Sequence, residues 1–214
     1  MSHRTYTRLT LTVFPVLLAG FALLYLSDRD AYLRLLDEDG VVEWTTVGLL
    51  TLAAGLAFLR ARTARKGAHD VWRFYAALGC LCTLAVLEEL SWGQRLLGVD
   101  SPTFFLRHSD QQEINLHNVF QQWSGVTTKW VAALALSAYG VVLPVLRNAP
   151  TIRVWTTRWH VVVPPGVLVP GFLAGALLML DLPTYEEEEI AELFFALCFV
   201  LLLLQPGRPW PGHA

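Results

Sequence analysis

The stretch FYAALGCLCTLAVLEELSWGQRLL, Phe74 to Leu97, decides how this chain is read. It begins as a run of apolar and small residues behind Arg73. It closes on two adjacent carboxylates, Glu88 and Glu89, followed by Trp92, Gln94 and Arg95. A helix of ~20 apolar residues, rising ~1.5 Å each, crosses ~30 Å of hydrocarbon. Counted from Phe74, the boundary falls near Gly93, and both glutamates lie about one turn inside it. Charges at that depth cost a few kcal/mol each unless they are paired, protonated, hydrated or bound to a cation.

The rest of the chain fits a membrane reading. Of 214 residues, 54% are hydrophobic and 16% charged, against about 25% charged in soluble domains. Mean hydropathy is +0.45. The apolar residues are gathered into six runs near 9–26, 42–59, 72–92, 129–146, 161–182 and 188–204. These imply one integral membrane domain over 1–214: an all-α polytopic membrane helical bundle of about six transmembrane helices. An outer interfacial segment, 93–128, completes it. Arg4 and Arg8 precede the first run as in a signal peptide, but the core is long and no small-residue cleavage site follows, so a retained helix is expected. Net charge is −2 without a basic block, which gives no footing for nucleic acid. Cys80, Cys82 and Cys198 lie inside apolar runs, lack redox or zinc spacing, and read as small core residues.

Orientation follows the Lys and Arg near the span ends. With both termini cytoplasmic, eleven of the 16 basic residues fall inside. The outer five are Arg29, Arg34, Arg95, Arg107 and Lys129. Seventeen of the 18 acids fall outside, Asp70 being the exception. Avoidance of the anionic inner leaflet accounts for loop acids. It does not account for acids at membrane depth. Span two starts at Glu43, in DEDGVVEW. Span six has a short apolar run, Ile190 to Leu204, and must draw in Glu189 and Glu188, with Glu192 deeper. Three helices thus carry carboxylates at a similar depth. The plainer alternatives are short helices whose glutamates snorkel to the interface, and a structural ion pair of Arg95 with Glu88 or Glu89. Glu186 and Glu187 suit a helix mouth, where the N-terminal dipole favours acids.

The outer loop, SPTFFLRHSDQQEINLHNVFQQWSG, spans Ser101 to Gly125. Leu116, Val119, Phe120 and Trp123 form an apolar stripe at helical spacing, which implies an outer amphipathic helix. Glu113, His117 and Gln121 share one face of it. Glu-x-x-x-His on a helix can offer two ligands to one metal, while Asp110-x-x-Glu113 also reads as a capping box. His108 is a possible extra ligand. Trp44, Trp92, Trp123 and Trp130 fit an interfacial belt.

The strings EDGVVEW, EELSWGQRLLG followed by P-x-F-F, and EINLHN resemble a group of bacterial multi-pass membrane proteins whose chemistry is unassigned. The resemblance runs from Glu38 to Asn118. CAAX-type intramembrane proteases are similar at a distance through a Glu-Glu-x-x-x-Arg motif, but here five residues separate Glu89 from Arg95, which departs from that pattern. Alkaline ceramidase-like hydrolases are similar only as membrane-embedded zinc enzymes, and this chain is short of placed histidines.

The leading expectation is a metal-dependent hydrolase in the inner or plasma membrane, acting on a lipid or lipid-linked substrate at the outer face. Glu88, Glu89, Glu113 and His117 would hold one or two divalent cations, with Glu43, Glu189 or Glu192 completing the shell. A carboxylate-rich set suits Mn²⁺, Mg²⁺, Ca²⁺ or iron better than structural Zn²⁺. A free glutamate of the Glu88–Glu89 pair would serve as general base. Gln94, Trp92, Asn115 and Asn118 would orient the substrate, and Arg95 would bind an anionic head group. Intramembrane carboxylates with a histidine also fit a proton or cation transporter, and an acidic outer surface fits a non-enzymatic assembly partner.

Overall fold

The structure, a computed structural model, describes residues 2–67, 69–109, 114–124 and 127–207, without the side chains of Arg95, Leu96, His117 and Asn118. Every regular element among them is helical. In chain order they are α1 (His3–Ser27), α2 (Arg29–Leu36), α3 (Val41–Lys66), α4 (Trp72–Glu89), α5 (Gln94–Leu97) and α6 (Thr103–His108). There follow α7 (Leu116–Ser124), α8 (Thr128–Ser137), α9 (Leu143–Val145), α10 (Pro150–Arg158), α11 (Val169–Leu178) and α12 (Glu187–Leu204). A π-turn, Ala138–Val142, joins α8 to α9 into one rod.

The helices start where the sequence supplies partners for free N–H groups. Ser2 caps α1 by accepting from Thr5 N at 3.1 Å. Asp28 caps α2 through Ala31 N at 2.9 Å. Glu43, in the first turn of α3, accepts from Asp39 N at 2.5 Å, one residue before the N-cap Gly40, and so ties the preceding turn to the helix. α1 buries only Tyr6, Thr10 and Phe14, an i, i+4, i+8 stripe, and turns its leucines outward, Leu23 and Leu26 being 67% and 79% exposed. An exposed apolar face of that extent is a surface for contact with a membrane or another protein. α12 is buried on nearly every side from Ile190 to Leu203, which is the signature of a central helix. The small residues Ala53, Ala54, Ala57, Ala61 and Ala64 of α3 are buried and let the α3 backbone approach α4 and α12 closely.

Cross-links fix the direction of each rod. Arg60 of α3 donates from Nε to Leu203 O at 2.7 Å and from Nη2 to Gln205 O at 3.4 Å, so α3 and α12 run parallel. Tyr32 of α2 donates to Glu187 Oε1 at 3.1 Å, which brings the end of α1 and the start of α3 to the start of α12. Lys129 of α8 pairs with Asp181, just beyond α11. α1, α4 and α11 therefore run toward one end of the bundle, and α3, α8–α9 and α12 run away from it. Acids crowd the first end and Lys and Arg the second.

Among the described residues, three stretches are long and apolar enough to cross a membrane: His3–Ser27, Arg29–Lys66 and Thr128–Val145. α4 and α12, at 18 residues each, match the third in length. What sets them apart is charge: Arg73, Glu88 and Glu89 in α4, and four glutamates in α12. The fifth expected span, 161–182, is corrected. Pro164 and Pro165 hold 161–165 out of helix, and only α11 and the 3₁₀ turn before it, Gly166–Leu168, remain. Pro170 is tolerated because it falls in the first turn of α11, where no N–H is missed. α10, an exposed helix with no buried residue, lies where the sequence showed only a connection.

Candidate functional site

α4 does not run to Trp92. It ends at Glu89, and Ser91 (φ 45°), Trp92 (φ 56°) and Gly93 (φ 81°) occupy the left-handed region in succession. For Ser91 and Trp92 that conformation costs of order 1 kcal/mol or more each. The chain is held there by Trp92 Nε1, which donates to Glu88 Oε1 at 2.8 Å. The same oxygen accepts from Leu116 N at 3.3 Å and so fixes the start of α7. The turn places Glu88 and Glu89 at the C-terminal end of α4. That is the negative end of the helix dipole, where carboxylates are unfavourable. Helix stability is therefore no reason for these two acids. The three acids in the first turn of α12, Glu187 to Glu189, do favour their helix.

At this end a cavity of about 420 Å³ opens between α3, α4, α8 and α12, a size common for small-molecule sites, about 300–1,000 Å³. Seven glutamates line it: Glu38, Glu43, Glu88, Glu89, Glu188, Glu189 and Glu192. Asn115, Gln121, Thr127, Thr128 and Lys129 add neutral oxygens and one cation. Lys129 Nζ pairs with Asp181 and lies 3.3 Å from Glu188 Oε2. Asp181 is 6% exposed, and its second oxygen accepts from Glu188 N at 3.0 Å. Lys129 is thus largely committed to one side of the cavity, and its charge is far short of the carboxylates around it. Asn115 is 4% exposed, and among the described residues its Oδ1 has no hydrogen-bond partner. A buried acceptor left alone costs ~1–3 kcal/mol, so the Asn115 oxygen calls for a donor or a cation in the cavity it lines.

The expected residues divide as follows. Glu43, Glu88, Glu89, Glu189, Glu192 and Asn115 line the one cavity. Glu113 lies outside the described residues, as do the side chains of Arg95, His117 and Asn118. α7 begins at Leu116, with Ile114 and Asn115 non-helical before it. The expected Glu113–His117–Gln121 face and the Asp110–Glu113 capping box rest on residues outside those described. Trp92 is exposed and Gln94 is half-buried, and neither lines the cavity. Gln94 instead donates from Nε2 to Ser101 Oγ at 2.6 Å and accepts at Oε1 from Ile114 N at 2.8 Å, tying the outer loop together. Among the described residues, no three His, Cys, Asp or Glu side chains are drawn together as a ready metal cage.

Sequence reasoning missed Glu38, Lys129 and Asp181. The signal for Asp181 was its isolation in LLMLDLP, a lone acid in an apolar run, and that for Lys129 was its place as the sole cation opening span four. Glu187 belongs to the scaffold: it is 1% exposed and accepts from Tyr32 Oη, from Thr184 N and Oγ1, and from Tyr185 N. Glu186, just ahead of α12, has its carboxyl held above the ordinary range by partial burial and by the neighbouring Glu188, Asp181 and Asp37. Comparison with protein-family models, with curated proteins and with solved structures finds no match to this chain.

Proposed function

We propose that this chain crosses the cell membrane six times with both termini cytoplasmic, and that its acidic cavity binds one or two divalent cations for the hydrolysis of a lipid or lipid-linked substrate. The observation that carries the cation site is Asn115 Oδ1, buried and, among the described residues, without a hydrogen-bond partner, in a cavity walled by seven glutamates. A hard cation such as Mg²⁺, Mn²⁺ or Ca²⁺ satisfies that oxygen and the carboxylates together. The spanning reading is supported by distance. Glu43 and Arg62 of α3 are separated by about 28 Å along the axis, close to the ~30 Å hydrocarbon thickness. α4 and α12 match the third span in length and fall short of spanning character through charge, most of it acids that line the cavity. The motifs EDGVVEW, EELSWGQR and EINLHN each supply part of the same wall, which is what a shared site in the bacterial family they resemble would require.

A bound divalent cation supplies Lewis acidity toward a water and toward a carbonyl or phosphoryl oxygen. The chain does the rest. Glu89, Glu189 and Glu192 supply ligand oxygens, Asn115 adds a neutral one, and a glutamate left without a cation accepts the proton of the attacking water. Glu88 commits one oxygen to Trp92 and Leu116 and holds the wall in place. Lys129 limits the excess charge and draws a substrate anion. A through-going transport path has less support: beyond Glu192, α12 is apolar from Leu193 to Leu204.

Elemental mass spectrometry on protein purified in detergent, after equilibration with Mn²⁺, Mg²⁺ or Ca²⁺, tests the site beside Glu89→Gln, Glu192→Gln and Asn115→Leu. Stoichiometric metal in the parent, lost in the glutamate variants while they still insert and remain monodisperse, supports it, and a lipid hydrolysis screen follows. No metal in the parent after add-back, or full retention in all three variants, sinks it.

A further inference from the structure

At the opposite end of α3 lies a second recess, of about 460 Å³, lined by Ala61, Arg62, Arg65, Lys66, Trp72 and Ala76. We infer that this groove between α3 and α4 binds the phosphate of an anionic phospholipid from the inner leaflet, an inference that rests on the chain crossing the membrane. Three cations converge there and all three are exposed. Among the described residues none of them pairs with a carboxylate: Asp70, the acid at this end, is engaged by Arg73 at 3.8 Å and by His160 at 3.7 Å. Arg60, one turn before, is turned away to the carbonyls of Leu203 and Gln205. Cations in the last turn of a helix suit its dipole, which accounts for Arg65 and Lys66. It does not account for Arg62, nor for Trp72, which closes the groove from the next helix.

The shape fits a lipid rather than a free ion. Arg65 stacks on the Trp72 ring, its guanidinium carbon 5.3 Å from the centroid, and Arg73 lies 5.8 Å from the same ring. A guanidinium held over an aromatic ring keeps its N–H donors available, and two of them can receive a phosphate. Trp72 suits the head-group level, and Ala61 and Ala76 leave an apolar floor where an acyl chain enters. Basic recesses between membrane helices on the cytoplasmic side are a recurrent home for acidic head groups.

Native mass spectrometry of the full chain in neutral micelles, titrated with phosphatidylglycerol or phosphatidylcholine, tests this. The parent should retain one phosphatidylglycerol in preference to phosphatidylcholine. Replacing three cations, Arg62→Gln with Arg65→Gln and Lys66→Gln, should weaken that binding roughly a hundred-fold. Arg4→Gln with Arg8→Gln, on the same side but outside the groove, should leave it within about twofold. Equal loss in the Arg4 and Arg8 variant would assign the effect to general surface charge and overturn the inference. So would an unchanged triple variant, or displacement of the lipid by millimolar inorganic phosphate. None of these readouts depends on the metal at the other end.

Discussion

Replacing Lys129 with Met should separate the scaffold role of this lysine from its electrostatic role. Lys129 binds Asp181 and lies 3.3 Å from Glu188, with side-chain exposures of 30% for the lysine, 9% for the aspartate and 40% for the Glu188 side chain. Breaking a fully buried pair costs ~3–5 kcal/mol, and breaking an exposed one ~0–1 kcal/mol. The Asp181 end is desolvated, the Lys129 end is one-third wet, and Asp181 keeps its bond from Glu188 N. The loss should therefore be about 2 kcal/mol. Equilibrium unfolding by dodecyl sulfate in mixed micelles reads it. Asp181→Asn added to Lys129→Met removes the stranded charge and should restore at least half of the loss. Divalent cation should offset part of that loss. The variant cavity carries one positive charge fewer, so Mn²⁺ or Ca²⁺ should bind more tightly and stabilise the variant more than the parent. A loss below about 0.5 kcal/mol, or a double variant as weak as the single one, would refute the pairing argument. Equal stabilisation of variant and parent by cation would refute the claim that Lys129 shares a field with the site.

Two further outcomes follow from packing and capping. A Cβ at Gly140, in the π-turn, would overlap the Phe172 ring, which is fully buried, so Gly140→Ala should cost about 1–3 kcal/mol in the same unfolding assay, whereas Gly55→Ala on α3, which meets open space, should cost nothing measurable. Arg60→Ala removes two charge-assisted bonds to the end of α12 and should cost about 2 kcal/mol, while faster proteolysis or amide exchange should appear at Leu202–Gln205 and not at Glu187–Glu192.

The long apolar runs made the main helices legible, because a chain that spans a bilayer must bond its own backbone within each helix. Counting from Phe74 set Glu88 and Glu89 about one turn inside the outer boundary, and the short apolar run of α12 drew Glu189 to a similar depth with Glu192 deeper; the cavity gathers all four. The stop at Glu89 was not legible. Only Gly93 hinted at a turn, and the left-handed Ser91 and Trp92 depend on Glu88 and on α7, partners distant in sequence. For the same reason the Lys129–Asp181 pair escaped notice: each residue looked like a boundary marker until α8 and α11 were side by side. The helix in span five is shorter than its apolar run because Pro164 and Pro165 set the backbone against helix before α11 begins.

α12 raises a question of assembly order. It is synthesised after every helix that surrounds it, yet it occupies the middle. Its apolar part past Glu192, Leu193 to Leu204, measures only about 18 Å, too little to partition into a bilayer alone. If the chain crosses the membrane as proposed, that segment cannot enter unaided, and α3 and α11, the helices against which it mainly packs, must take it up. Until then the earlier helices enclose a vacant axis. A chaperone or insertase that shields that axis, and a cation that holds the acids together as it fills, would act at the same moment of biogenesis.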